Sequence, residues 1–364
     1  MNKNMGKIVF ANSLRGIAAM IVLISHYFDV FYTRPAAVHE LLHISHISDS
    51  HAGMEFLYKI FNFCTSISYG HLGVAIFFLI SGFVIPFSMD KYPPPRKFAL
   101  NRVLRIYPTY SMALCITVLC IYINSVVYNS EFTIQVMHFI KQIFLVRDLF
   151  WIPSIDGVSW TLEIELKFYM ISVLFYYFFR QKVYSLIMAC ICILCSILFV
   201  NVNFEEIVHI QKHIVLLDGP IILFMFIGSV FNFMFRDMIT YKLGASLILL
   251  MLWAFNYTID NNIMFAAFKS SMFFNYSLAL IIFWLCYYKR NSFKNNKILD
   301  FLADISFPLY AVHGVMGYSI LEFFVLNHWN IYLGVVFTIL IVMTTAYLLH
   351  RYVEVPTVSL SKQK

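Results

Sequence analysis

The stretch IVFANSLRGIAAMIVLISHYFDVFY, residues 8 to 32, decides the fold. Its apolar residues run on almost unbroken, and about 20 in succession are enough to cross the hydrocarbon of a bilayer. Lys3 and Lys7 precede it, as basic residues precede a secretory signal, but Arg15 interrupts the run and no small-x-small cleavage site follows. The segment therefore reads as an uncleaved first span.

Comparable runs recur to the end of the chain. The 364 residues are 61% hydrophobic and 12% charged, about half the charge of a soluble domain, so lipid rather than water is the main solvent. The expected fold is all-α, a polytopic transmembrane helical bundle. About ten spans are predicted, near 8 to 31, 68 to 90, 107 to 128, 158 to 180, 183 to 201, 214 to 235, 243 to 258, 263 to 288, 305 to 326 and 331 to 350. No linker or low-complexity tract divides them, so residues 1 to 364 read as one membrane-embedded domain.

Lys and Arg collect on the cytoplasmic side because they are costly to translocate. An N-terminus inside puts most of the 26 there, among them Lys91, Arg96, Lys97, Arg102, Arg105, Arg180, Arg236, Lys289, Arg290, Arg351 and Lys364. Both termini are then expected in the cytoplasm. This inner belt accounts for the net charge of +7 without a nucleic-acid partner, and its counterpart is lipid headgroups. Six of the seven cysteines fall within predicted spans as packing residues and Cys64 in an outer loop, so no disulfide or metal spacing is indicated.

Ionisable side chains inside spans cost roughly 2.5 to 3.5 kcal/mol each on insertion scales, which marks them as candidates for function. Arg15 and His26, eleven residues apart, return to one face of the first helix with Ala18 and Val22 between them. That stripe either lines a cavity or has both side chains snorkelling to opposite interfaces. Asp29, one turn on, either orients the imidazole of His26 or is solvated at the span end. In SWTLEIELKFYM, which begins at Ser159 and Trp160, the i, i+4 spacing of Glu163 and Lys167 predicts an ion pair. Glu165 points elsewhere and is left as the functional candidate. Arg102 and Arg105 share a face and either fork onto phosphate oxygens or anchor the helix at the inner headgroups. In SFPLYAVHG, His313 with nearby Tyr310 lies deep in a span beside Pro308, as a catalytic group or a cross-helix hydrogen bond. His39, His43 and His46 have helical spacing but no fourth ligand, so a polar surface segment is expected there and no metal.

In this order these segments resemble the acyltransferase 3 family, integral membrane O-acyltransferases of bacterial surface polysaccharides such as the O-antigen of lipopolysaccharide. The resemblance rests on LRGIAAMIVLISH with Arg15 and His26, GVAIFFLISGFVI from Gly73 to Ile85, RVLRIYPTY with Arg102 and Arg105, SWTLEIELKFY with Trp160 and Glu165, SFPLYAVH with Tyr310 and His313, and VEVP. Leu166 and Lys167 depart from the polar pair expected after the glutamate.

The resemblance implies a multi-pass protein of the bacterial inner membrane. It also implies acetyl-CoA as cytoplasmic donor, bound by Arg15, Arg102 and Arg105, and a sugar or polysaccharide hydroxyl as acceptor. His26 would act as general base or transient acyl carrier, assisted by Glu165. Some relatives carry a soluble esterase-like domain, and none is expected here. The alternative from the same intramembrane charges is a transporter or proton-coupled carrier, which is expected to show repeated halves with broken helices. No such repeat is visible.

Overall fold

The computed structural model describes residues 8–44, 54–63, 66–92, 94–178, 182–202, 212, 214–266 and 268–363. Lys3, Lys7, His46, Cys64, Arg180 and Lys364 lie outside them, as do both chain ends. Among the described residues ten long helices form: α1 (Val9–Ser25), α2 (Tyr69–Lys91), α3 (Pro95–Val127), α4 (Trp160–Phe178), α5 (Lys182–Val202), α6 (Gly219–Phe235), α7 (Tyr241–Asp260), α8 (Lys269–Tyr288), α9 (Lys297–Leu326) and α10 (Ile331–Leu349). Among the described residues, nine helices are long and apolar enough to cross a membrane. The remaining predicted span, α4, forms as a helix but concentrates Glu163, Glu165 and Lys167 near its start. Short helices Pro35–Leu42, Glu55–Phe61 and Val136–Ile143 fill the connections.

The helix starts are set by local chemistry. Pro95 opens α3, where its missing N–H costs nothing. The side chains of Thr240, Asn296 and Asn330 accept from the free backbone N–H groups of α7, α9 and α10. α10 turns Leu333, Phe337 and Leu340, each half or more exposed, outward at helical spacing. Such a face suits lipid rather than water.

Two groups of helices meet along a seam. α6 is buried along nearly its whole length and packs against α2, α5 and α7, while α8 lies on α2; across the seam, α1 packs on α9, which also carries α3 and α10. In lipid such contacts depend on close packing rather than on exclusion of water. At the α2–α6 crossing a Cβ on Gly82 would lie 1.8 Å from the carbonyl oxygen of Met225, and one on Gly228 2.2 Å from that of Leu79. The close approach lets Ser229 and Asn232 donate to the carbonyls of Gly82 and Phe83, at 3.0 and 2.7 Å. α1 and α9 run parallel, joined by Asn12 to Asp300 at 2.7 Å near their starts. Farther along, the Tyr27 hydroxyl donates to the carbonyl of His313 at 2.9 Å.

Candidate active site

A cavity of about 120 Å³ lies at the seam between the two helix groups. Arg15 of α1, Arg102 and Arg105 of α3, Glu165 and Tyr169 of α4 and Tyr310 of α9 line it, with Phe77 and Phe78 of α2 forming apolar wall. Five residues singled out from sequence therefore share one space: Arg15, Arg102, Arg105, Glu165 and Tyr310.

Arg102 is buried, donates to the Ser88 hydroxyl and lies between the rings of Phe98 and Tyr169, each 5.3 Å from its guanidinium carbon. Stacking leaves its orientation fixed before any anion arrives. Arg105 is less enclosed. Ser81 and Tyr169 both donate to Oε1 of Glu165, at 2.6 and 2.5 Å. Two hydroxyl donors on one oxygen hold the carboxylate in place and leave Oε2 without a partner among the described residues.

Farther along, Thr161 donates to the Tyr310 hydroxyl at 3.0 Å, and the Tyr310 ring lies 5.4 Å from that of His313. His313 meets His26 edge to face, with centroids 4.5 Å apart. His313 Nδ1 lies 2.7 Å from the carbonyl of Tyr310. Because a carbonyl only accepts, Nδ1 carries the hydrogen and Nε2 keeps its lone pair. That Nε2 is buried without a hydrogen-bond partner. His26 Nδ1 lies 2.6 Å from the hydroxyl of Tyr318. Arginines, carboxylate and tyrosine thus line one cavity, and the paired imidazoles adjoin it behind Tyr310.

The structure decides two open alternatives, the stripe and Asp29, and corrects two expectations, the Glu163–Lys167 pair and His39. The stripe between Arg15 and His26 does not line the cavity: Ala18 and Val22 are fully buried and packed against Gly73, so α2, α4 and α9 wall it instead. His26 opens a π-helical turn, His26–Val30, a feature that often accompanies functional positions. Asp29 accepts from Thr33, and Tyr318 holds the His26 ring instead. Glu163 and Lys167 do not pair. Arg147 meets Glu163 side-on, Nη2 to Oε2 at 3.0 Å and Nε to Oε1 at 2.9 Å, while Lys167 is held by Asp148 and Asp218. The segment before α4 folds back and supplies closer partners than the helix does. His39 is not on a polar surface but buried, its Nε2 3.0 Å from Glu322.

Sequence reasoning also missed the loop that positions α4. Asp156 Oδ1 accepts from Ser154 at 2.7 Å and from the backbone N–H groups of Val158 and Ser159 at 3.0 Å, and Tyr110 donates to Oδ2 at 2.9 Å. Gly157 supplies a φ of +70° at the tip. A Cβ on Gly314 would lie 2.9 Å from the Asp156 carbonyl, so the loop rests on α9 next to His313. An Asp-Gly pair ahead of a helix was the available signal. In the connecting segments at this end, burial and then neighbouring His138 hold His43 below the ordinary imidazole value. Trp160 lines a separate cavity beside these residues.

An apolar helical bundle with ionisable groups gathered around one internal cavity is the architecture of a multi-pass membrane protein with a buried polar site. The chain matches the acyltransferase 3 family, described as an acyltransferase domain, over residues 8–351 and belongs to it. Membership in a family described as an acyltransferase domain gives no support to the transporter alternative. The Nodulation protein 10 of Rhizobium leguminosarum bv. viciae is 28% identical over 113 residues, 27% of this chain and 31% of that protein. The match thus spans less than a third of that relative's length. No solved structure matches the chain.

Proposed function

We propose that the protein transfers an acetyl group from cytoplasmic acetyl-CoA to a hydroxyl of a bacterial surface polysaccharide or its lipid-linked precursor, at the inner membrane. The observation that carries this reading is the lining of the seam cavity. An apolar-walled space with three arginines suits a pantetheine arm ending in phosphates, and Tyr310 in its wall adjoins two histidines. In this account Arg102 and Arg105 bind the donor phosphates from the cytoplasmic side and both termini lie on that side.

In the direct route, His26 takes the proton from the acceptor hydroxyl as its oxygen bonds to the thioester carbonyl carbon. The carbon–sulfur bond then breaks, and the proton passes to the coenzyme A thiolate. In the covalent route His26 Nε2 bonds to the thioester carbonyl carbon as the carbon–sulfur bond breaks and coenzyme A leaves as the thiolate. The acceptor oxygen then bonds to that carbon, the carbon–nitrogen bond breaks, and the hydroxyl proton ends on the thiolate by way of the freed imidazole. Either route needs a lone pair on Nε2, so Nδ1 must carry the hydrogen and donate it to Tyr318. Glu165 acts nearer the arginines, orienting the donor or helping the proton move.

The test is release of coenzyme A thiol by purified protein in detergent, with and without candidate oligosaccharides. Acceptor-stimulated release with appearance of an acetyl ester is expected. Absence of thiol release from acetyl-CoA under all acceptor conditions, in protein that remains folded, overturns the donor assignment.

A further inference from the structure

Beside the start of α4 is a second, wider cavity of about 430 Å³, within the roughly 300 to 1,000 Å³ range of small-molecule sites. Trp151 and Trp160 contribute its aromatic surface, and Arg147, Asp148, Glu163 and Asp218 its polar groups. None of these is used in the transfer chemistry above. Trp160 lines this space while its neighbour Thr161 lines the seam cavity and bonds Tyr310. The two therefore lie on different faces of the same stretch of α4.

Trp151 is fixed at a turn. It occupies the left-handed region at φ 53°, which a bulky side chain rarely adopts, and its indole is 55% exposed. The turn that fixes it is closed by the Trp151 N–H to the Asp148 carbonyl at 3.1 Å, the Ile152 N–H to the Arg147 carbonyl at 3.2 Å, and Arg147 Nη1 to the Ile152 carbonyl at 2.9 Å. The ion pairs alongside fix the polar groups in the same way. Arg147 lies on Glu163, and Lys167 bridges Asp148 and Asp218.

We propose that this cavity is a binding subsite for a neutral pyranose of the acceptor glycan, a proposal that rests on the sugar-acceptor reading above. The indole of Trp151 packs on the C–H face of the ring, and the carboxylates and Arg147 exchange hydrogen bonds with its hydroxyls. Arg147 and Lys167 offset two of the three carboxylates and leave an acidic excess, which favours a neutral sugar over a polyanion. A residue bound at this point holds the chain beside Tyr310 and His313.

The test is isothermal titration calorimetry on the full-length protein in detergent, using neutral tetrasaccharides of glucose, galactose and N-acetylglucosamine as probes. At least one should bind saturably. Trp151→Ala should weaken it at least tenfold, Trp151→Phe should retain part of the affinity, and Trp253→Ala, on the exposed face of α7, should leave it unchanged. No binding of any of the three, or equal binding by Trp151→Ala, overturns the subsite. Thiol release from acetyl-CoA in the same preparations separates the two claims. Transfer with an unchanged acceptor KM in Trp151→Ala keeps the transferase and removes the subsite. A probe that binds through Trp151 yet accepts no acetyl supports the subsite and contradicts the acceptor assignment.

Discussion

Replacing Tyr318 by Phe removes one hydroxyl and little else. The ring stays buried and stacked on Phe31, with centroids 6.0 Å apart, so the packing of α9 is preserved. What disappears is the 2.6 Å contact to His26 Nδ1, which in the proposed account holds the imidazole with its Nε2 lone pair free. A hydrogen bond of this kind contributes about 0.5 to 1.5 kcal/mol net, so the transfer rate should fall roughly twofold to tenfold. Loss of a general base costs a hundredfold to ten-thousandfold, a clearly separate range. The assay is initial thiol release at saturating donor and acceptor, with kcat and KM resolved. The loss should appear in kcat. An unchanged kcat refutes the positioning role, and a loss beyond a thousandfold in folded protein assigns Tyr318 to the chemistry itself.

The arginines should divide by their surroundings. Arg105→Ala is expected to weaken acetyl-CoA binding by roughly 1.5 to 3 kcal/mol with little change in thermal stability, and Arg105→Lys to recover part of it, as read by calorimetry. Arg102→Ala should lose both donor affinity and stability, because its guanidinium is wedged between Phe98 and Tyr169 and bonded to Ser88. Lys167→Met leaves Asp148 and Asp218 facing each other without a cation. It should lower stability by about 3 kcal/mol, seen as a lower unfolding midpoint in detergent. Gly228→Val should prevent recovery of folded protein, its Cβ meeting backbone at 2.2 Å, whereas Gly219→Ala meets only the side chain of Ile197 at 2.9 Å and should be tolerated. Size-exclusion profiles distinguish the two.

Helix number and approximate placement were legible in the sequence because a bilayer imposes its own thickness on every span. The co-location of Arg15, Arg102, Arg105 and Glu165 was legible too, since each is a costly residue in an apolar setting and points to a shared polar space. Partnerships were not. Tyr318 stands 292 positions from His26, and one tyrosine among 23 carries no local mark of what it will touch. The i, i+4 spacing of Glu163 and Lys167 suggested a pair within α4, but spacing says nothing about the loop at Arg147 and Asp148 that folds over both. For the same reason His39 read as a surface residue. Its burial against Glu322 depends on a packing between distant segments that no helical period encodes.

The central claim is that His26 carries the acyl-transfer chemistry, and His26→Gln tests it most directly. Glutamine retains hydrogen-bonding capacity toward Tyr318 but cannot take a proton or hold an acetyl group. Purified side by side with the native protein, the variant should insert and bind acetyl-CoA normally, yet lose a hundredfold to ten-thousandfold of its acceptor-dependent acetyl transfer. Transfer at close to the native rate would contradict the account and leave His26 as a structural residue at the end of α1.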